Sequence, residues 1–141
     1  MYKNILHATD LSENHFYLCE KVVKLAHSLG ASLHFLHVIE TPASLQWAQS
    51  LGFAELATPV KDGAQTVMLT LADALNVSPD NLHVEIGSAY IHILNKIKEL
   101  ECDLVVLGGY SANSLPNFLG STAHAVAHHV PCDILTMRNN D

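Results

Sequence analysis

The sequence predicts an α/β protein with one doubly wound parallel sheet of five strands and helices on both faces. Short apolar or alternating runs rich in β-branched residues alternate along the chain with longer segments of helical spacing. Glycine or proline stands at most of the junctions. The run Leu104–Leu107 is continuously apolar, which is typical of a strand buried on both faces. Right-handed crossovers between such strands give a Rossmann-like arrangement.

Each element follows from its local pattern. The predicted strands are Tyr2–Ala8, Ser32–Ile39, Leu82–Ile86, Leu104–Leu107 and Cys132–Met137. We expect a first helix capped by Asp10 with Glu13, or by Ser12 alone, and ended by Gly30. Its predicted buried stripe is Phe16, Cys19, Val22, Val23, Ala26 and Leu29.

Three further helices are predicted in the same way. The second has its apolar face at Ala64, Val67, Met68, Leu71 and Leu75, and the third at Tyr90, Ile91, Leu94, Ile97 and Leu100. The last helix is expected from about Ser121 to His129. The segment Glu40–Thr58 has a weaker pattern and is interpreted as a short helix, a flap or a partner surface.

Length and composition limit the function classes. The 141 residues suit one domain over 1–141, and no apolar run approaches the about 20 residues that span a membrane. The net charge of −7, with scattered Lys and Arg, argues against nucleic-acid binding. Three cysteines without CxxC spacing indicate no disulfide framework, so we expect a cytoplasmic protein.

The connection after the fourth strand has the features of an anion site. Gly108-Gly109 ends the strand, and Gly120-Ser121-Thr122 leads into the last helix. Such a loop presents unpaired backbone N–H groups to an anion. The alternative is an ordinary connection in which Ser121 or Thr122 only caps the helix. In a doubly wound sheet, ligands bind beyond the carboxyl ends of the strands, where Asp10 and Val38 are also expected.

Four segments, in this order, resemble the universal stress protein family. They are MYKNILHATDLSEN, LHFLHVIE, EIGSAYIHIL, and DLVVLGG with FLGSTAHAVAHHVPCDILT. The resemblance implies strand order 3-2-1-4-5 and a homodimer formed through the last strand, Cys132–Met137. It also implies a site for ATP or a related adenine nucleotide, with Mg²⁺. By position, Asp10 and Val38 would contact adenine and ribose, and Gly108, Gly109, Gly120, Ser121 and Thr122 would hold the phosphates.

The glycine loop departs from the family pattern of Gly, two residues, Gly, nine residues, Gly and Ser or Thr. Counted from Gly108, Ser111 occupies the second glycine position and Gly120 comes one residue early. Counted from Gly109, Ala112 occupies that position and two residues are missing. The loop contains no Lys or Arg. A shortened loop resembles the A-type branch of the family, which does not bind ATP.

The remaining polar residues give weaker hypotheses. His7 either forms an acid–base pair with Asp10 or is a hydrogen-bonded core histidine in the strand interior. His124 with His128 or His129 has metal-ligand spacing, but no third ligand is near in sequence, so no metal site is predicted. His34 and His37 should lie on opposite faces of a strand. Cys19 is expected to be an inert core residue.

These observations favour a stress-response protein that acts by binding and not by turnover, through a modified adenine-nucleotide site. Three alternatives remain. The first is a weak ATP hydrolase or nucleotide-dependent switch covered by the segment Glu40–Thr58. The second is an A-type protein that acts through protein partners without ATP. The third is a small α/β enzyme that uses His7 and Asp10.

Overall fold

The computed structural model describes residues 1–11, 15–40, 58–108, 126 and 128–138. In chain order the elements are β1 (Asn4–Ala8), α1 (His15–Leu29), β2 (Ser32–Ile39), α2 (Thr58–Leu75), a 3-10 helix (Pro79–Asn81), β3 (Leu82–Ile86), α3 (Ala89–Glu99), β4 (Leu104–Gly108) and β5 (Asp133–Met137). The predicted strands are confirmed, and the bounds of β2 and β3 agree with the prediction at both ends.

The sheet has five parallel strands in the order β3-β2-β1-β4-β5, which confirms the predicted fold class and strand order. The first strand is therefore central, with β2 on one side and β4 on the other. Ala8 aligns with Leu36 of β2 and with Leu107 of β4. At the carboxyl edge of the sheet, β1 and β4 therefore end within one residue of each other, and β2 continues three residues beyond this level, to Ile39.

The two faces of the sheet carry separate cores. One core packs beneath α1 and α2 and contains Ile5, Phe35 and Val106 from the three central strands. The other packs beneath α3 and contains Leu6, Leu36 and Val105. Because side chains alternate along a strand, adjacent residues of β1 face opposite cores. By the same alternation, His7 faces α1 together with Ile5.

The boundaries of α1 and β4 follow from their sequences. Gly30 follows the last residue of α1 and has φ of +64°. Glycine adopts this left-handed conformation without steric strain because it has no Cβ, so it ends the helix. The first four residues of β4 are all buried, as the continuous apolar run predicts. At the amino ends of β1 and β4, the Asp103 carboxylate accepts hydrogen bonds from the backbone N–H groups of Lys3 and Asn4.

The predicted inner faces of the helices are partly wrong. Phe16, Val67 and Ile91 were expected to be buried, but 37%, 49% and 52% of their surfaces are exposed. Leu18, Ala72 and Ile93 are buried instead, with at most 1% exposed. A spacing of three and four identifies a helix but leaves the rotational phase of its apolar face open when apolar residues flank the stripe.

Some predictions lie outside the described residues. They concern the helix cap at Ser12 and Glu13, the interior of the segment Glu40–Thr58, and most of the last helix. Of that helix, the structure describes Val126, which is buried, and His128 and His129, which are helical. No helix in the described ranges is long and apolar enough to cross a membrane.

Two isoleucines of α3 test the corrected helix phase. We expect Ile93→Ala to lower the free energy of unfolding by about 2–5 kcal/mol, because it opens a cavity in the α3-side core. Ile91→Ala removes the same atoms from an exposed position, and we expect a change of about 0.5 kcal/mol or less. Urea unfolding of both variants measures the difference. Equal losses would contradict the assigned phase.

Candidate functional site

The carboxyl edge of the sheet brings three of the predicted site residues to one level. Asp10 and Val38 each follow a paired residue, Ala8 or Leu36, by two positions. Gly108 ends β4, one residue after Leu107, which pairs with Ala8. Val38 is half-buried and packs against the α3-side core. Gly109, Gly120, Ser121 and Thr122 lie outside the described residues.

The turn after β1 is held by hydrogen bonds to its neighbours. The Thr9 N–H donates to the Leu36 carbonyl oxygen at 2.9 Å, and His37 Nδ1 donates to the Thr9 carbonyl oxygen at 2.8 Å. The Leu11 N–H donates to Thr9 Oγ1 at 3.1 Å, and Leu11 has φ of +59°. This turn presents the Asp10 side chain with 66% of its surface exposed.

His15, at the start of α1, connects Asp10 with Gly108. Its Nε2 lies 3.3 Å from Asp10 Oδ1, and its Nδ1 lies 2.8 Å from Thr9 Oγ1. A Cβ added at Gly108 would lie only 2.9 Å from the same Nε2. Burial lowers the pKa of His15, so the ring is mainly neutral at pH 7. The absent side chain of Gly108 therefore leaves the space in which His15 holds Asp10.

His7 lies beneath this ring, stacked on His15 with the ring centres 5.7 Å apart and the planes inclined by 15°. It is fully buried, and its Nδ1 donates to the Val106 carbonyl oxygen at 2.9 Å. Burial lowers the pKa of His7 to about 4. Among the described residues, only His7 Nε2 is a buried side-chain nitrogen or oxygen without a hydrogen-bond partner. A buried polar atom without a partner lowers the free energy of unfolding by about 1–3 kcal/mol.

Cys19 completes a cluster of metal-ligand types. It is buried on α1, and its Sγ lies 3.9 Å from Thr9 Oγ1. Burial raises the pKa of this thiol to about 11, so it is protonated when no ion is bound. One ligand atom from each of His7, His15 and Cys19 lies within 4.8 Å of the others.

A cavity of about 360 Å³ opens beside the cluster, between α1 and α2. Its walls are mostly apolar. They are formed by Thr9, Leu11, His15, Phe16, Cys19, Thr66, Val67, Thr70, Leu71 and Ala74. Two members of the cluster, His15 and Cys19, are therefore part of the cavity wall.

The structure changes the assessment of the histidines. His7 has the core position that one of the two hypotheses predicted, and its lack of exposed surface excludes direct contact with a substrate in this conformation. Asp10 instead has His15 as its imidazole partner. His34 and His37 have different partners: His34 hydrogen-bonds His83, and His37 donates to the Thr9 carbonyl oxygen.

Sequence reasoning assigned no role to His15. The only local signal for it is its four-residue spacing to Cys19, which places the two side chains on one helix face. Its contacts with Asp10 and Thr9 depend on the turn after β1, and its space depends on Gly108, far away in the chain. Pattern reading along the sequence could not connect these positions.

Fold and site together define a doubly wound α/β protein with a carboxylate and a glycine at the carboxyl edge of its central strands. The sequence model of the universal stress protein family matches residues 1–138. The chain belongs to the universal stress protein family.

Named relatives of similar length support the family assignment. Universal stress protein A homolog 2 of Coxiella burnetii is 32% identical over 139 residues, which cover 97% of this chain and 95% of the relative. Universal stress protein G of Salmonella typhimurium is 26% identical over 144 residues, which cover 98% of this chain and 100% of the relative.

Solved structures of this fold match almost the whole chain. UspA from Lactobacillus plantarum has a TM-score of 0.65 at 28% identity, with 97% of this chain and 98% of that chain covered. The hypothetical protein MJ0577 has a TM-score of 0.79 at 22% identity, covering 100% and 99%. A universal stress protein in complex with cAMP has a TM-score of 0.66 at 16% identity, covering 98% of both chains.

Gly108→Ala tests the packing that links His15 to β4. The new Cβ would meet His15 Nε2 at 2.9 Å and Leu18 Cδ2 at 3.1 Å, so we expect a loss of about 1–3 kcal/mol in the free energy of unfolding. Gly63→Ala is the matched control, since a Cβ at this helical position meets nothing within 4 Å. We expect the control to stabilise α2 by about 0.5–1 kcal/mol. A neutral Gly108→Ala in urea unfolding would refute the packing role.

Proposed function

We propose that this chain is a stress-response protein that binds an adenine nucleotide at the carboxyl edge of its sheet. In this proposal Asp10 and Val38 contact adenine and ribose, and Gly108 begins the loop that holds the phosphates. The observation that carries the proposal is the placement of Asp10: an exposed carboxylate is held by His15 directly beside Gly108. A fixed carboxylate can accept hydrogen bonds from the adenine amino group or from ribose hydroxyls.

The phosphate half of the proposed site uses Gly109, Gly120, Ser121 and Thr122. Backbone N–H groups and the Ser and Thr hydroxyls are suitable donors to phosphate oxygens. The sequence between Gly108 and Thr122 contains no Lys or Arg, and the chain has a net charge of −7. Most of the phosphate charge would therefore have to be balanced by Mg²⁺. We expect binding of a triphosphate to depend strongly on this ion.

In this proposal the chain binds the nucleotide without turnover. Asp10 is assigned in this proposal to base and ribose, and burial lowers the pKa of its imidazole partner His15. In this proposal neither group acts as a general base at the γ-phosphate. One related fold was solved in complex with cAMP, a nucleotide without a triphosphate.

Titration calorimetry with Mg-ATP and with AMP tests the proposal. We expect Asp10→Ala to weaken binding of both nucleotides by about 10-fold to 100-fold, because a charged acceptor is lost. Asp80→Ala is the matched control. It removes the same charge from the 3-10 helix before β3, which lies at the amino ends of the strands and not at their carboxyl ends.

Gly120→Val should weaken binding of ATP more than binding of AMP, because its side chain would crowd the outer phosphates. Equal affinity of the native chain, Asp10→Ala and Gly120→Val for both ligands would refute the site. Steady Mg-dependent phosphate release that Asp10→Ala abolishes would instead establish the hydrolase alternative. No binding in any variant would favour the A-type alternative, which acts through protein partners.

We further propose that two copies pair along β5 in the cytoplasm. This strand ends the sheet, and the side chains of Asp133 and Thr136 are exposed on it. An edge strand offers backbone N–H and C=O groups to a second chain, and a self-complementary pairing gives a closed dimer.

Light scattering after size exclusion tests this arrangement. We expect a mass of twice the 15.4 kDa chain for the native protein and a shift toward monomer for Thr136→Lys, because a lysine on an edge strand disfavours pairing with a second chain. Asn95→Lys, on the exposed surface of α3, is the control and should leave the dimer unchanged. A native monomer at micromolar concentration would contradict the proposal.

A further inference from the structure

His7 Nε2 is the polar atom that the fold leaves unexplained. It is fully buried at the centre of the sheet and has no hydrogen-bond partner among the described residues. Buried polar atoms without partners are rare in native proteins, and each needs a physical reason. The neighbouring side chains here are an imidazole and a thiol, both of them metal-ligand types.

The hydrogen bonds around the two rings fix where their lone pairs lie. His7 Nδ1 must carry the proton, because its partner is the Val106 carbonyl oxygen, so Nε2 carries the lone pair. His15 Nε2 faces the Asp10 carboxylate and Nδ1 faces the Thr9 hydroxyl, which places the proton on Nε2. Thr9 Oγ1 also lies 3.9 Å from Cys19 Sγ, so His15 Nδ1 and the thiol share one neighbouring oxygen.

We propose that His7, His15 and Cys19 bind one Zn²⁺ ion. Two imidazole nitrogens and a thiolate form a ligand set that zinc prefers. The three ligand atoms lie within 4.8 Å of one another, and ligands around a tetrahedral zinc stand about 3.5 Å apart. Small rotations of the His15 and Cys19 side chains close this difference. The Cys19 thiol releases its proton to solvent when the ion binds, and the His15 bond to Thr9 is exchanged for the metal bond.

The surroundings complete the arrangement. Zinc-binding histidines commonly donate their second N–H to a carboxylate or a carbonyl oxygen. Asp10 holds this position for His15, and the Val106 carbonyl holds it for His7. Because His15 and Cys19 also line the cavity between α1 and α2, the ion can enter there. The fourth position then faces the cavity and is open to water or a small ligand.

Titration of the metal-free chain with Zn²⁺ alone, without nucleotide, tests the site. A competing chromophoric chelator gives the affinity and the stoichiometry. We expect one tightly bound ion per chain and a loss of about 100-fold or more in Cys19→Ser and in His15→Gln. Cys102→Ser and His34→Gln are the matched controls, since they change a buried thiol and an imidazole on the α3 side of the sheet. We expect native affinity in both controls.

Cobalt substitution gives a second readout that needs no variant. Co²⁺ bound to a thiolate in tetrahedral geometry shows a near-ultraviolet charge-transfer band and intense visible bands, and Zn²⁺ should displace them. Absence of these bands in the native chain would overturn the proposal even where Cys19→Ser fails to fold. Equal zinc loss in the control variants would also overturn it, because the loss would then not depend on the three proposed ligands.

Discussion

The central position of β1 is the constraint on which the other features depend. Its pairing with β2 and β4 fixes the height of Ala8, and the next residues form the turn that presents Asp10. A slip of one residue in this register would turn His7 toward α3 and Leu6 toward α1. The bond from His7 Nδ1 to the Val106 carbonyl oxygen further ties β1 to β4. The strand register, the two cores and the candidate site therefore all depend on the position of β1.

The strands could be predicted from sequence because their signals are local. Alternation and flanking glycines or prolines indicated both ends of β2 and β3, and the apolar run indicated the buried β4. Helix faces were less predictable. Phe16, Val67 and Ile91 match the helical period as well as their buried neighbours do, so tertiary packing decides which apolar residue faces inward. Periodicity identifies an element but not its rotation.

The residues of the candidate site also differ in whether local sequence patterns could place them. Asp10, Val38 and Gly108 could be placed from the ends of parallel strands and from the family resemblance, and the structure brings them to one edge. His15 could not be found in this way, because its partners lie in other elements. Thr9 and Asp10 belong to the turn after β1, and Gly108 ends β4. Gly108 has a second role that no motif predicts: its missing side chain makes room for the His15 ring.

Asp10 is the physical link between the two proposed sites. Its carboxylate lies 3.3 Å from His15 Nε2, and the same side chain is exposed at the sheet edge where the nucleotide would bind. A zinc ion on the opposite ring nitrogen makes the Nε2–H more acidic, which strengthens its bond to Asp10 and draws charge from the carboxylate. A nucleotide that donates hydrogen bonds to Asp10 competes for that charge. Occupation of one site must then change the affinity of the other, and linkage requires the effect to be equal in both directions.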